Sequence, residues 1–196
     1  VGNDALGANT TASNNTAVGR KSLLSTTTGH SNTAMGETSA QNVTGSGNTA
    51  LGREAMQLGT GGNDNVAVGY QALQDCAADN NVAIGRQALT NVTTGASNAG
   101  VGYQVFDACT TGAGNVAIGI NALDAVTTQG GNTVIGYNAC SALVTTGVTA
   151  IGYQAMATST TGYDTVAVGQ SALTACTTGN ENVAIGFNAM LSNTTG

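Results

Sequence analysis

The chain has 196 residues, ordinarily the length of one domain, and only 7% of them are charged, with a net charge of −6. Its four basic residues lie within the first 86 positions and form no basic patch, which argues against nucleic-acid binding. No apolar run approaches the ~20 residues of a membrane span, so no membrane insertion is expected.

The chain is built on one five-residue unit, which reads Asn-Val-Ala-Ile-Gly at 115–119 and recurs with small changes. Its final glycine falls at positions 7, 19, 36, 52, 69, 85, 102, 119, 136, 152, 169 and 186. The first gap is 12 residues and every later gap is 16 or 17. This fixed period predicts a repeat architecture, with residues 1–14 as a short irregular first repeat.

The three residues before each glycine predict a short β-strand in every repeat. The last of them is aliphatic in all twelve copies, the middle one is Ala in ten, and the first is mostly Thr or Val. A second apolar column follows four residues after the glycine. Beyond it, Thr-Thr-Gly predicts a second short strand and a turn.

Stacking these repeats predicts an all-β fold, a parallel β-solenoid of about 11–12 coils with 16–17 residues each. Residues 1–196 then form a single domain. Because the chain begins at Val1 and ends on Thr-Thr-Gly, inside the repeat pattern, we expect it to be a fragment of a longer fibre.

Both faces of the predicted strand are apolar or bare, since the aliphatic column lies on one face and the Ala column on the other. We assign the aliphatic column to the core, so that Ile118→Asp should destabilise the protein far more than Tyr103→Ser. The other face is then expected to pack against a neighbouring chain. The alternatives are an exposed Ala and Gly face, or Ala inside a narrower coil. The Ala column comprises positions 17, 34, 50, 67, 83, 117, 150, 167 and 184.

An Asn column stands four residues before the glycine and is broken by Val148 and Thr165. Asn tolerates left-handed backbone, and stacked amides can bond along the axis. We predict a structural ladder, with a metal or ligand role as the minor alternative. The Asn positions are 3, 15, 32, 48, 65, 81, 98, 115, 132 and 182.

Four cysteines, Cys76, Cys109, Cys140 and Cys176, recur in every second repeat. Those in one column would be ~9.6 Å apart at the strand spacing. A disulfide needs Cα atoms within ~7 Å, so buried free thiols are predicted. Contacts around a trimer axis are the alternative.

The sequence does not predict an enzyme, a metal site or a cofactor. Its single histidine, His30, lies in a Gly-His-Ser loop without the strand-anchored partners of a catalytic triad. Carboxylates such as Asp64, Asp79, Asp164 and Glu181 stand in predicted turns, which turn formation explains better than acid–base chemistry.

The position after the glycine is the most variable of the repeat. It holds Tyr70, Tyr103, Tyr137 and Tyr153, and Arg, Glu, Gln, Ile or Phe in other copies. Tyr and Arg stack on flat partners and hydrogen-bond at their tips. These tyrosines are a candidate glycan-binding stripe; alternatively, they only cover the coil edge.

The repeat Asn-Val-Ala-Ile-Gly-Ile-Asn-Ala-Leu at 115–123, with Thr-Thr at 127–128, resembles the YadA-like head repeats of trimeric autotransporter adhesins. It is even more similar to repeats of bacteriophage tail fibres. The resemblance extends from about residue 15 to the end of the sequence. It implies a left-handed parallel β-roll and a homotrimer. The adhesin repeats are shorter than those of this chain.

These observations predict a structural and adhesive segment of an extracellular trimeric fibre, on a phage tail or a bacterial surface, presenting a polar Thr and Asn surface to a cell-surface glycan or receptor. The alternatives are an ice-binding solenoid, a self-assembling filament and a polysaccharide-cleaving enzyme. Ice binding would use a flat Thr array. Consecutive strand residues face opposite ways, so only one Thr per coil is expected to point outward.

Overall fold

The computed structural model describes residues 1–192 and Thr194. Its eleven strands have three residues each and follow one another in a single sheet. Short strands suit this sequence because each Thr/Val-Ala-aliphatic triplet is closed by a glycine. Strands β1 to β11 are Thr16–Val18, Thr33–Met35, Thr49–Leu51, Val66–Val68, Val82–Ile84, Ala99–Val101, Val116–Ile118, Thr133–Ile135, Thr149–Ile151, Val166–Val168 and Val183–Ile185.

Neighbouring strands pair in parallel and in register, so that each column of the repeat becomes a line of stacked residues. Ala117, for example, pairs with Gly100 on one side and Val134 on the other. Hydrogen bonds between coils continue outside the strands, as from the Leu23 amide to the Ser39 carbonyl at 3.1 Å. The predicted parallel β-solenoid with repeats of 16–17 residues is confirmed.

The two faces of the strand are reversed relative to the prediction. In every strand the middle residue is buried, while the flanking residues are exposed or half-buried. Ala117 is fully buried, whereas Ile118 is 42% exposed. The assignment of the aliphatic column to the core, and of the Ala column to an interchain contact, is wrong. In an isolated chain, Ile118→Asp is therefore no longer expected to destabilise the protein far more than Tyr103→Ser.

The interior is narrow and is filled by columns of small and medium side chains. The Ala column packs with the apolar column four residues after the glycine, which is buried as predicted except at Met190, which is half-buried. That second column contains no β-branched residue. It comprises Leu23, Ala40, Met56, Leu73, Leu89, Phe106, Leu123, Cys140, Met156, Leu173 and Met190.

The absence of β-branched residues from this column has a backbone cause. All its members have positive φ, from 49° at Ala40 to 59° at Phe106. Left-handed backbone is unfavourable for any L-residue and most unfavourable for β-branched ones. The stacked hydrogen bonds and the buried side chain hold each residue there.

The recurring glycine is required by both φ and space. Gly119 has φ 136°, and an added Cβ would meet the Gly136 carbonyl carbon at 2.7 Å. In the first coil it is Gly2, and not Gly7, that stacks on Gly19 in this way. The Gly19 amide accordingly donates to the Val1 carbonyl at 2.8 Å. The assignment of Gly7 to this column is wrong, and the first interval is also 17 residues.

The predicted second strand does not form. Thr-Thr pairs at 27–28, 93–94, 127–128 and 177–178 lie in bends, and both threonines of each pair are exposed. In these four coils the expectation that only one Thr points outward is therefore wrong, whereas at 110–111, 145–146 and 160–161 the first threonine is half-buried and only the second is exposed. The alternation rule applies to extended strands, and these residues are not in one.

One coil shows how side-chain volumes compensate across the interior. In it, Gly100 replaces the usual Ala, and Val105 and Phe106 replace smaller residues. A Cβ on Gly100 would lie 3.0 Å from Val105 Cγ1 and 3.1 Å from Phe106 Cδ2, and would overlap Leu89 Cδ1. The coil with Val134 in the Ala column has the small Cys140 opposite. The two columns thus share one limited volume.

We expect Gly100→Ala to destabilise the protein by about 1–3 kcal/mol through overpacking. Phe106→Leu alone should also destabilise it by leaving a cavity. Combined, the two changes should cost less than their sum, with a coupling of about 0.5–3 kcal/mol in urea unfolding. As a control, Gly100→Ala with the distant Met156→Leu should be additive. Additivity in the Gly100 and Phe106 pair would contradict the shared volume.

Candidate functional site

The outer face of the sheet carries two parallel columns of side chains. The first residue of each strand is Thr or Val in all strands except β6, and the third is Val, Ile, Leu or Met. Ten intervals of ~4.8 Å give the columns a length of roughly 48 Å. We call these two columns the sheet face. Its third-residue column is apolar and is exposed or half-buried in every strand, which makes the sheet face a candidate interaction surface.

The sequence did not identify the sheet face, because its aliphatic residues were assigned to the core. A signal was present, however. The middle position of the strand is almost invariably Ala, while the third varies among Val, Met, Leu and Ile. A narrow interior restricts side-chain size, whereas an outer surface tolerates such variation.

The column after the glycine is exposed along one edge of the sheet, and its side chains contact one another along the axis. The Arg53 guanidinium carbon lies 4.9 Å from the centre of the Tyr70 ring, and Arg53 Nη2 donates to the Tyr70 hydroxyl at 3.2 Å. Arg86 lies between two rings, 5.8 Å from that of Tyr70 and 5.6 Å from that of Tyr103. Four consecutive coils therefore form a mixed cation–π ladder.

The other two tyrosines of the predicted stripe form a separate pair. The rings of Tyr137 and Tyr153 are stacked, with centroids 5.5 Å apart and planes inclined by 7°. Ile120 separates this pair from the ladder. The predicted stripe is therefore two clusters on one edge, one with two arginines and one purely aromatic.

At the start of the same column, Arg20 forms an ion pair with Glu37, and Arg20 Nε donates to Glu37 Oε1 at 3.0 Å. This hydrogen bond and the positive charge of Arg20 lower the pKa of Glu37. Arg53 also pairs with Glu54, at 3.0 Å.

From Asn32 to Asn132 the Asn column is a buried ladder, as predicted, and Asn15 and Asn182 in it are half-buried. The inclusion of Asn3 is wrong, because Asn3 follows Gly2, is exposed and bonds to Asp4. Asn115 Oδ1 accepts from the Asn132 backbone amide at 3.0 Å and from Asn132 Nδ2 at 3.1 Å. Asn115 Nδ2 donates to the Gln129 carbonyl of the next coil at 3.0 Å. Since both ends of the amide bind the neighbouring coil, its role is structural.

The four cysteines are free and buried, as predicted. Burial raises the pKa of the Cys76, Cys109 and Cys140 thiols. They are therefore protonated at neutral pH and poor nucleophiles.

The remaining candidates for chemistry are turn residues. His30 is exposed, and its Nδ1 accepts from the Ser13 amide at 3.0 Å. Asp64, Asp164 and Glu181 have φ between 49° and 57°, which confirms their place in turns. Within residues 1–192 and Thr194 there is no surface pocket and no metal-binding group of three or more His, Cys, Asp or Glu.

No protein-family model, curated protein or solved structure matches the chain. In the part of the chain that the structure describes, no helix has the length and apolar character needed to cross a bilayer.

Proposed function

We propose that the protein is a structural and adhesive segment of an extracellular trimeric fibre, on a phage tail or a bacterial surface. The observation that carries this proposal is the uncovered sheet face. In a homotrimer the three sheet faces would cover one another. The sequence also predicted contact with a neighbouring chain, and our proposal keeps that contact. It places the contact on the sheet face instead of on the Ala column.

The energetics of this face suit a long contact. Fully burying one exposed Val, Leu, Ile or Met contributes ~1.5–3 kcal/mol, so covering a half-exposed side chain contributes roughly 1 kcal/mol. One coil would therefore stabilise association only weakly. Eleven strands repeat the contribution along the axis, which favours an extended fibre over a small point of contact.

The double variant Ile118→Asp with Ile135→Asp should be a folded monomer, whereas the unmodified protein should have the mass of three chains. In a single chain both carboxylates remain in water. In a closed interface each would be a buried charge, which costs several kcal/mol. Sedimentation equilibrium gives the mass, and circular dichroism shows whether the chain is folded.

Thr111→Asp with Thr128→Asp is the matched control, because it adds the same charge at exposed positions outside the sheet face. This control should retain the mass of three chains. A folded monomer for the unmodified protein, at concentrations where dissociation is negligible, would contradict the proposal.

Adhesion follows from the same assembly. Three copies would present their exposed Thr-Thr bends and their edge columns in parallel, while the Asn column stays buried in each chain. Weak single contacts then gain avidity because several engage at once.

A second candidate, ice binding, is supported by the outward position of both threonines at 27–28, 93–94, 127–128 and 177–178. The Thr93 hydroxyl donates to the Thr110 carbonyl at 3.1 Å, and the Thr110 hydroxyl to the Thr127 carbonyl at 3.2 Å. These bonds fix the hydroxyls along the axis. Thermal hysteresis by the unmodified protein, abolished by Thr94→Lys with Thr128→Lys, would favour this candidate over the fibre.

A further inference from the structure

The three arginines of the chain occupy one column at regular intervals. Arg20, Arg53 and Arg86 each follow a column glycine and are 33 residues apart, which is two coils. At ~4.8 Å per coil, successive guanidinium groups are ~9.6 Å apart along the axis. The column also contains Glu37, so its positive charge is partly compensated.

The arginines differ in what neutralises them. Arg20 and Arg53 have carboxylate partners, Glu37 and Glu54. Within residues 1–192 and Thr194, Arg86 has no ion pair. Its guanidinium is exposed and lies between the rings of Tyr70 and Tyr103. The two rings position this cation without cancelling its charge.

The ladder of Arg53, Tyr70, Arg86 and Tyr103 alternates two kinds of binding group. The Arg86 guanidinium offers paired N–H donors that match the geometry of a carboxylate. Arg53 uses Nη2 for Glu54 and Tyr70, which leaves the N–H groups of its Nε and Nη1 for a ligand. The tyrosines offer apolar ring edges and hydroxyl tips, which suit the CH and OH groups of a sugar. A ligand lying along this edge would therefore meet charged and neutral positions in turn.

We infer that this ladder binds a linear anionic polysaccharide that carries one acidic group on every second sugar. In an extended chain of this type, successive acidic groups are two sugar lengths apart, which is comparable with the two-coil interval of ~9.6 Å between arginines. The intervening neutral sugars would lie against Tyr70 and Tyr103. The inference names a ligand class for the proposed adhesive segment and rests on that function.

Binding can be measured by isothermal titration with octasaccharides of hyaluronan, which has one carboxylate per two sugars. Polygalacturonate, acidic at every sugar, and neutral dextran serve as comparison probes. We expect hyaluronan to bind, dextran to give no signal, and polygalacturonate to bind more weakly because half its carboxylates have no opposing arginine. Binding of hyaluronan should weaken as salt is added.

Arg86→Gln should weaken hyaluronan binding by about tenfold or more, as expected when a charge-assisted hydrogen bond is lost. Lys21→Gln removes the same charge outside the ladder and should change the affinity by less than about twofold. Both positions contact water, so circular dichroism should show unchanged folding. Equal effects of the two variants, equal binding of dextran, or no binding by the unmodified protein would overturn the inference.

The mass of the same sample separates this inference from the fibre proposal. A folded monomer that binds hyaluronan through Arg86 would contradict the trimer and support the site. A trimer that does not bind would support the fibre and contradict the site.

Discussion

Gly119→Ala should destabilise the protein by about 3 kcal/mol or more, because it combines backbone strain with a steric overlap. Gly119 has φ 136°, a conformation that is essentially restricted to glycine. Its added Cβ would also overlap the carbonyl of Gly136 in the next coil. Urea unfolding measures the loss, and hydrogen exchange should show it concentrated around β7 and β8.

Gly114→Asn is the matched control. Gly114 also has positive φ, 68°, but a Cβ there would have no atom within 4 Å. Equivalent positions already hold Asn14 and Asn80, each with φ 61°. The control should therefore change stability by less than about 1 kcal/mol. A Gly119→Ala protein as stable as the control would show that the coils are less tightly stacked than described.

Asn115→Val should cost about 2–4 kcal/mol, since it removes several buried hydrogen bonds without changing the fit of the side chain greatly. Val148 occupies the same column, which shows that the coil can accommodate valine there. The change deprives the Gln129 carbonyl and the Asn132 amide of their partners. Each polar group left buried and unpaired costs ~1–3 kcal/mol. Urea unfolding again measures the difference.

The reverse change tests the same ladder. Val148→Asn with Thr165→Asn would fill its interruption between Asn132 and Asn182. Added hydrogen bonds of this type contribute ~1 kcal/mol each, so the double variant should be more stable than the unmodified protein. If Asn115→Val were neutral and the double variant destabilising, the ladder would not stabilise the stack.

The stacking of the coils was predictable from the sequence because a repeat of 16–17 residues cannot bury an apolar column by itself. The burial of the strand faces was not predictable from Val116-Ala117-Ile118 alone, which is apolar on both sides. The width of the interior decides which side is inside, and that width depends on contacts between columns. The coil with Gly100 and Phe106 indicates this width, because a smaller residue in the Ala column coincides there with a larger residue in the facing column.

The candidate site was predictable in composition but not in arrangement. The variable column containing Tyr70 and Tyr103 was visible as a pattern. The position of Arg86 between their rings depends on how long side chains bend along the axis, which spacing does not specify. The Thr-Thr bends were missed because threonine has a strand preference that the tight coil overrides.

The stacking of the coils also has a mechanical consequence. Each coil adds ~4.8 Å of height, yet its 17 residues can extend to ~56–61 Å. Tension applied between the two ends would act on hydrogen bonds that run along the axis, and would peel coils one after another. Each detached coil would release a length of extended chain more than ten times the height of the coil. Such a segment would lengthen in steps under load, limiting the force that it transmits, and would refold when the load is removed.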